Sequence, residues 1–355
     1  MNDVRSTETS SRRPDDLDEL FDTPLTRDLG IDVPIVCGAM YPCSNPELVA
    51  AASAAGGIGI VQPISMMFVH DWDLREGIRY IREQTDNPIG FNALVEQTSD
   101  VYMRRMKKWV DVALEEGVEF FISALGPPDW VVDKVHAQGG TVYHDVTNRK
   151  FAERAVEAGV DGFICVNDRA GGHAGESSPE VLFDELEDLG LPLVCAGGVG
   201  RPEEFVEALD IGYTGVQMGT RFIATPECRA DLTYKDAICD ATADDIVLTD
   251  KISGVPVSVI ETDYIEETGT EAGWLAKRML QHPKLKHLAR SYYSLKSLVQ
   301  LKTASLDGMD YREFWQAGKS VEYIDDIRTV DAVFDEFVSG ARAMAAAVSD
   351  QALAG

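Results

Sequence analysis

Val160-Asp161-Gly162-Phe163-Ile164-Cys165-Val166 runs into Asp168-Arg169-Ala170-Gly171-Gly172-His173-Ala174-Gly175, and Leu193-Val194-Cys195-Ala196-Gly197-Gly198 and Val216-Gln217-Met218-Gly219-Thr220-Arg221 follow within the same stretch, Gly159 to Gly219. Each apolar run has the length of one buried strand and stops abruptly in glycines. Glycines at a strand end permit positive φ and let a ligand approach the backbone closely. A histidine set among them is presented at the end of its strand, not packed along it. A single histidine is most often a satisfied structural residue; the paired glycine ends downstream turn the reading of His173 toward a site.

Outward from this stretch, strand, loop and helix alternate along the chain. Apolar runs begin near Pro34, Gly57, Pro88, Glu119, Gly139, Val160, Leu191 and Thr214, at intervals of about 20 to 31 residues. Between them lie amphipathic stretches such as Asp100–Glu116, Asn148–Ala158 and Pro179–Leu189. Asn45-Pro46-Glu47 reads as an N-cap, a proline at the first helical position and an early acid, and Gly56-Gly57 closes that helix. Eight such units predict an α/β protein built as a closed parallel (β/α)8 TIM barrel. The alternative is a doubly wound open sheet, but no Gly-x-Gly-x-x-Gly follows the first strand. We expect a disordered acidic leader over 1–25, a barrel core over 26–225, a mostly helical cap over 226–328 and a C-terminal helix packed on the barrel over 329–355. Within the cap, Ile246–Glu261 reads as a hairpin or edge strand, Trp274–Leu301 as a helix rich in Lys and Arg, and Met309–Lys319 as a further helix.

In such a barrel the active face carries the loops that follow the strands, and phosphate sites favour the loops after strands seven and eight. Gly197-Gly198 and Gly219-Thr220 fall on those two loops, which predicts a phosphorylated ligand; ordinary tight βα turns are the competing explanation.

Composition narrows the function. Sixty acidic residues against 32 basic ones give a formal charge of −28, which disfavours nucleic acid and anionic membrane partners. The acids are spread along the chain, so either a soluble acidic surface or adaptation to high salt accounts for them. No run reaches the roughly 18 apolar residues of a membrane span, and the first residues lack the apolar core of a signal peptide; a cytoplasmic protein is expected. The six cysteines show no Cys-x-x-Cys pair and no metal spacing, so neither a disulfide framework nor a metal is expected.

Ala170-Gly171-Gly172-His173-Ala174-Gly175, Ala196-Gly197-Gly198 and Gly215-Val216-Gln217-Met218-Gly219-Thr220-Arg221-Phe222 together resemble the nitronate monooxygenase family, once called 2-nitropropane dioxygenases. The resemblance runs from about Pro34 to Thr225, with a weaker echo at Trp315-Gln316-Ala317-Gly318-Lys319-Ser320. It implies an FMN-dependent barrel enzyme that oxidises alkyl nitronates, or nitroalkanes, with O2 to a carbonyl compound and nitrite. Carried over by motif, His173 is the catalytic residue, and FMN contacts fall on Ala39, Met40, Asn92, Gly172, Gly197, Gly198, Gln217, Gly219 and Thr220. A homodimer is compatible with it. Val166-Asn167-Asp168-Arg169, Ala174 and Lys319 depart from the usual pattern, on the substrate side more than on the phosphate side. An NAD(P)H-dependent flavin reductase, such as an enoyl-ACP reductase, uses the same barrel and a similar histidine. A barrel that merely binds a phosphorylated metabolite is the non-catalytic alternative.

Overall fold

The computed structural model describes residues 19–96, 100–250, 256–270 and 315–354. Eight strands, β1 (Ile35–Cys37), β2 (Ile58–Val61), β3 (Ile89–Leu94), β4 (Phe120–Ala124), β5 (Thr141–Val146), β6 (Gly162–Val166), β7 (Leu193–Ala196) and β8 (Gly215–Met218), pair in parallel in chain order. The ring closes where β1 pairs β8, with Val36 opposite Gln217. The fold is a (β/α)8 TIM barrel, as the alternation predicts, and each strand begins within two residues of its expected apolar run.

Helix α1 (Pro24–Leu29) precedes β1, and α2 (Pro46–Ala54), α3 (Leu74–Gln84), α4 (Asp100–Glu115), α5 (Asp129–His136), α6 (Arg149–Ala158), α7 (Pro179–Leu186), α8 (Pro202–Ile211) and the short α9 (Thr220–Ile223) follow successive strands. Caps explain several boundaries. Asn148 Oδ1 accepts from the Phe151 N–H at 3.2 Å and Gly159 ends α6 in the left-handed region; Ser178 caps α7 ahead of Pro179. Asn45 is different. Its side chain does not cap α2; it donates to Glu47 and to the Glu227 carbonyl and accepts from the Arg229 N–H, tying the helix start to the segment after β8. The helix itself ends at Ala54, with Ala55 as its cap.

Strand alternation divides the core in two. Val36, Ile60, Ile122, Tyr143, Ile164 and Val194 point inward and form the barrel interior. Their neighbours Cys37, Val61, Phe121, Val142, Cys165 and Cys195 point outward and pack beneath the helices. The N-terminal end of the barrel is plugged by α1: Leu25, Leu29 and Ile31 join the interior cluster, and the Tyr143 hydroxyl donates to Asp28 at 3.2 Å. Burying each such leucine contributes about 1.5–3 kcal/mol. This corrects the expected leader boundary. Residues 1–18 lie outside the described residues, but Glu19–Phe21 form a 3₁₀ turn, Phe21 is buried, and Thr23 and Thr26 form a reciprocal capping box that starts α1.

After the barrel come α10 (Leu232–Asp240), an antiparallel hairpin of β9 (Ile246–Thr249) and β10 (Val257–Ile260), α11 (Asp263–Thr268) and finally α12 (Val330–Ala354). Helix α12 seats Phe334 and Phe337 against Phe222 and Phe205, with ring centroids 5.9 Å apart in both pairs. The expected basic helix at Trp274–Leu301 lies outside the described residues, as does the first half of Met309–Lys319. Its second half is not helical. Trp315–Gly318 runs irregularly, with the Gly318 N–H donating to Thr220 Oγ1 at 3.0 Å and the Lys319 N–H to the Arg169 carbonyl at 2.9 Å. Those bonds to the barrel loops replace the ones a helix would make.

Candidate active site

The floor of the barrel mouth follows from the same alternation. Phe91 and Ala93 face the helices, so Asn92 between them faces inward and is buried. Val216 and Met218 face outward, so Gln217 faces inward, its side chain lying over Gly38. On β5, His144 and Val146 face outward, leaving Asp145 inward and one step above Tyr143. Three polar side chains thus stand above an apolar barrel interior. Gln217 Oε1 and Asp145 Oδ1 are both sealed from solvent and have no hydrogen-bond partner among the described residues. A buried polar atom left unpaired costs about 1–3 kcal/mol, so this floor suits a ligand with a polar edge.

The loop after β6 is held by one residue, Asn167, which is fully buried. Its N–H donates to the Ala196 carbonyl at 3.0 Å, its carbonyl accepts from the Gly175 N–H at 3.0 Å, its Oδ1 accepts from the Arg169 N–H at 2.8 Å, and its Nδ2 donates to the Gly197 carbonyl at 3.0 Å. The sequence departure at this position is therefore a structural knot between two mouth loops. Beyond it, Gly172 exchanges two backbone hydrogen bonds with Ser258 of β10, so the hairpin steadies the segment that carries His173. On the other side, Gly171 lies so close to the Ala317–Gly318 backbone that a Cβ there would sit 2.9 Å from it.

His173 is exposed at the mouth, and no hydrogen bond to its imidazole forms among the described residues. The protein mass around it still lowers its pKa from the usual histidine value, by desolvation. A neutral imidazole is the form that can accept a proton. His144, the rival histidine in sequence, is no rival in space. It faces the helix layer, is 7 % exposed, bonds Ser123 Oγ through Nδ1 at 2.8 Å, and has its pKa lowered by burial to about 4.

The remaining expected contacts all gather at the C-terminal end of the barrel. Ala39 and Met40 follow β1, and Met40 Sδ lies against Gly219. Gly197 has a φ of 120°, and a Cβ there would lie 2.6 Å from the Ala170 nitrogen; the Arg169 stem covers Gly198 in the same way. These two glycines are thus required by the chain's own packing, whatever binds beside them. The Thr220 hydroxyl accepts from the Gly318 N–H, which leaves its own O–H and the backbone at that turn for a ligand. Two residues at the mouth escaped the sequence reading. Arg169 brings a guanidinium beside Gly198, 3.8 Å from Glu180, and Asp145 completes the floor. Strict alternation along Val142-Tyr143-His144-Asp145-Val146 was the signal for the second.

A parallel eight-stranded barrel whose mouth joins a polar floor to a looped, neutral histidine defines an enzyme of the TIM-barrel class. The family model described as nitronate monooxygenase matches residues 22–340, and the chain belongs to that family. It is an oxidoreductase family, generally flavin-dependent and acting on small molecules. The chain is 28% identical over 274 residues to the (3aS,4S,5R,7aS)-5-hydroxy-7a-methyl-1-oxo-octahydro-1H-indene-4-carboxyl-CoA dehydrogenase of Mycobacterium tuberculosis, covering 76% of this chain and 75% of that one. It is 27% identical over 288 residues to a probable nitronate monooxygenase of Staphylococcus saprophyticus, covering 69% and 80%. Among solved structures, FabK from Thermotoga maritima superposes with a TM-score of 0.78 at 27% identity, covering 93% of this chain and 99% of that one. No helix among the described residues is long and apolar enough to cross a membrane.

Proposed function

We propose that the protein is an FMN-dependent nitronate monooxygenase that converts alkyl nitronates, and nitroalkanes after deprotonation, with O2 into carbonyl compounds and nitrite. The observation that carries this reading is the neutral, solvent-facing His173 held beside a polar floor in a member of this family. The floor fits a flat heteroaromatic ring with polar edges, because its sealed polar atoms lack partners among the described residues. Asn92 and Gln217 would hold the ring, Ala39, Met40 and Gly172 would border it, and the backbone at Gly197, Gly198, Gly219 and Thr220, with Arg169 beside it, would receive the phosphate. FMN, when bound, supplies the electron-transfer chemistry that lets dioxygen react with the substrate.

The chain's own residues do the rest. His173 accepts the α-proton of a neutral nitroalkane, or donates its N–H to an oxygen of a nitronate already formed. Asn167 and the β10 bridge at Gly172 fix where that imidazole stands. The segment from Trp315 to Gly318 packs its backbone against Gly171. The reading also takes the enzyme as cytoplasmic, with a small nitro compound and dioxygen as its partners.

The extent of the FabK match supports a second reading, an NAD(P)H-dependent flavin reductase. One anaerobic experiment separates the two. Bleaching of the visible flavin bands by ethyl nitronate, with nitrite released on admitting air, supports the monooxygenase. Rapid bleaching by NADH or NADPH and none by the nitronate selects the reductase. A colourless protein that gains no visible absorbance with FMN defeats both.

A further inference from the structure

The cofactor reading uses two of the three polar residues on the barrel floor and leaves Asp145 without a task. This residue stands on β5 in register with Ile164 of β6, next along the ring from Ala124 at the end of β4. Its Oδ1 is sealed and has no partner among the described residues, while the residue as a whole is only partly buried. Burial alone raises its pKa to about 7, with no neighbouring charge contributing.

Among the described residues, the titratable groups around it offer no cation to hold a negative charge. Tyr143 lies beneath and turns its hydroxyl away to Asp28; His144 faces the helices and is held neutral; Cys165 on β6 faces outward with its thiol pushed up by burial. From the β6 loop, His173 is also held toward its neutral form, and Arg169 turns over Gly198 toward Glu180 beside Asp168. Nothing on the strands flanking β5 is charged at this level.

We propose that Asp145 is kept as a neutral carboxylic acid and donates its O–H to an acceptor on the edge of the bound flavin ring, an inference that rests on the FMN reading above. The edge of that ring carries two carbonyl oxygens and bare ring nitrogens but only one N–H. A carboxylate there would set acceptor against acceptor; a carboxylic acid supplies the donor.

The test is FMN binding to the flavin-free full-length protein, followed by quenching of flavin fluorescence from pH 6 to pH 9, for the wild type, Asp145→Asn and Asp145→Ala. Titrations of FMN itself are common to all three and cancel in their ratios. The wild type is expected to lose about tenfold more affinity than Asp145→Asn across that range, the size of one hydrogen bond. Asp145→Asn, whose carboxamide donates at every pH, is expected to bind like the acid-side wild type, and Asp145→Ala to bind weakly at every pH. A wild-type to Asp145→Asn ratio that stays constant with pH overturns the proposal, and so does Asp145→Asn binding as weakly as Asp145→Ala at pH 6. Tight, pH-independent binding by all three leaves the FMN reading standing and removes Asp145 from it. Absence of binding by all three at every pH removes the FMN reading and this inference together.

Discussion

Replacing Asp145 with asparagine should stabilise the flavin-free protein, and the gain should grow with pH. The carboxyl is held near 7 in the folded chain against an ordinary value of 3.8. A folded pKa raised this way means that the folded state binds the proton more tightly than the unfolded state. Asp145 therefore costs no stability below about pH 4, and the cost accumulates as pH rises through the window to 7. At about 1.4 kcal/mol per pH unit the ceiling is about 4 kcal/mol. Water reaching the half-buried residue halves this to about 2 kcal/mol as the working expectation. His144 runs the other way. Held near 4 against 6.5, it contributes stability above pH 6.5 that is lost as pH falls toward 4. The two slopes oppose each other between pH 4 and 6.5, so only the difference between the two proteins isolates Asp145. At about 2.1 cal/mol/K of unfolding entropy per residue, 355 residues make a change of about 2 kcal/mol move Tm by about 3 °C. Because part of the cost has accrued by pH 5, thermal melts at pH 5 and pH 8 should show the Asp145→Asn advantage increasing by about 2 °C. An advantage equal at both values, or a variant less stable than wild type at pH 8, would refute the assignment of a buried, unpartnered acid.

Four further outcomes can be measured. His173→Asn should lower turnover of a neutral nitroalkane by about 10²–10⁴-fold, turnover of a pre-formed nitronate much less, and flavin content not at all; equal losses on both substrates would make His173 a positioning residue. Because desolvation lowers the His173 pKa, the acid limb of the wild-type nitroalkane profile should fall below pH 6.5, and an inflection above 7 would contradict that. Gly171→Ala should push the Ala317–Gly318 backbone off the histidine loop, lowering Tm and opening the peptide bond after Lys319 to trypsin, whereas an unchanged digestion pattern would show that the contact is dispensable. With a formal charge of −28, the protein should melt at a higher temperature in molar NaCl than in dilute buffer, and a flat or falling Tm would leave only an acidic surface with no adaptation to salt.

The barrel was legible because its strands announce themselves twice, by an apolar run and by the glycine or proline that punctuates it. Inward and outward positions on such strands are mostly both buried, so most strands read as near-continuous apolar sequence and each start is recovered to within two residues. The segment before it was harder. Phe21, Leu25 and Leu29 recur every four residues, the period of a helix face, but acids crowd the chain around them. Only the insertion of Leu25 and Leu29 into the barrel bottom, and the packing of Phe21 on Phe205, show that residues 19–29 belong to the fold. Asn45 failed as a cap for a related reason: its partners, Glu227 and Arg229, are brought to it by the closing of the ring and not by local sequence.

The site divides along the same line. His173 and the glycine turns were visible because loops at strand ends depend on local residue type. The structure then shows that Gly197, Gly198 and Thr220 also serve the chain's own loop packing, which sequence cannot separate from ligand binding. Asp145 was hidden by its company. One aspartate among sixty acidic residues carries no compositional signal, and the histidine beside it draws the eye although it faces the helices. Position alone sets Asp145 apart, since on the surface a carboxylate is cheap, whereas on this floor it meets neither a cation nor a donor among the described residues. An asparagine would occupy nearly the same volume and never titrate, so packing and stability do not account for an acid at that point. A proton that the floor can present to a ligand at neutral pH, and withdraw above it, does.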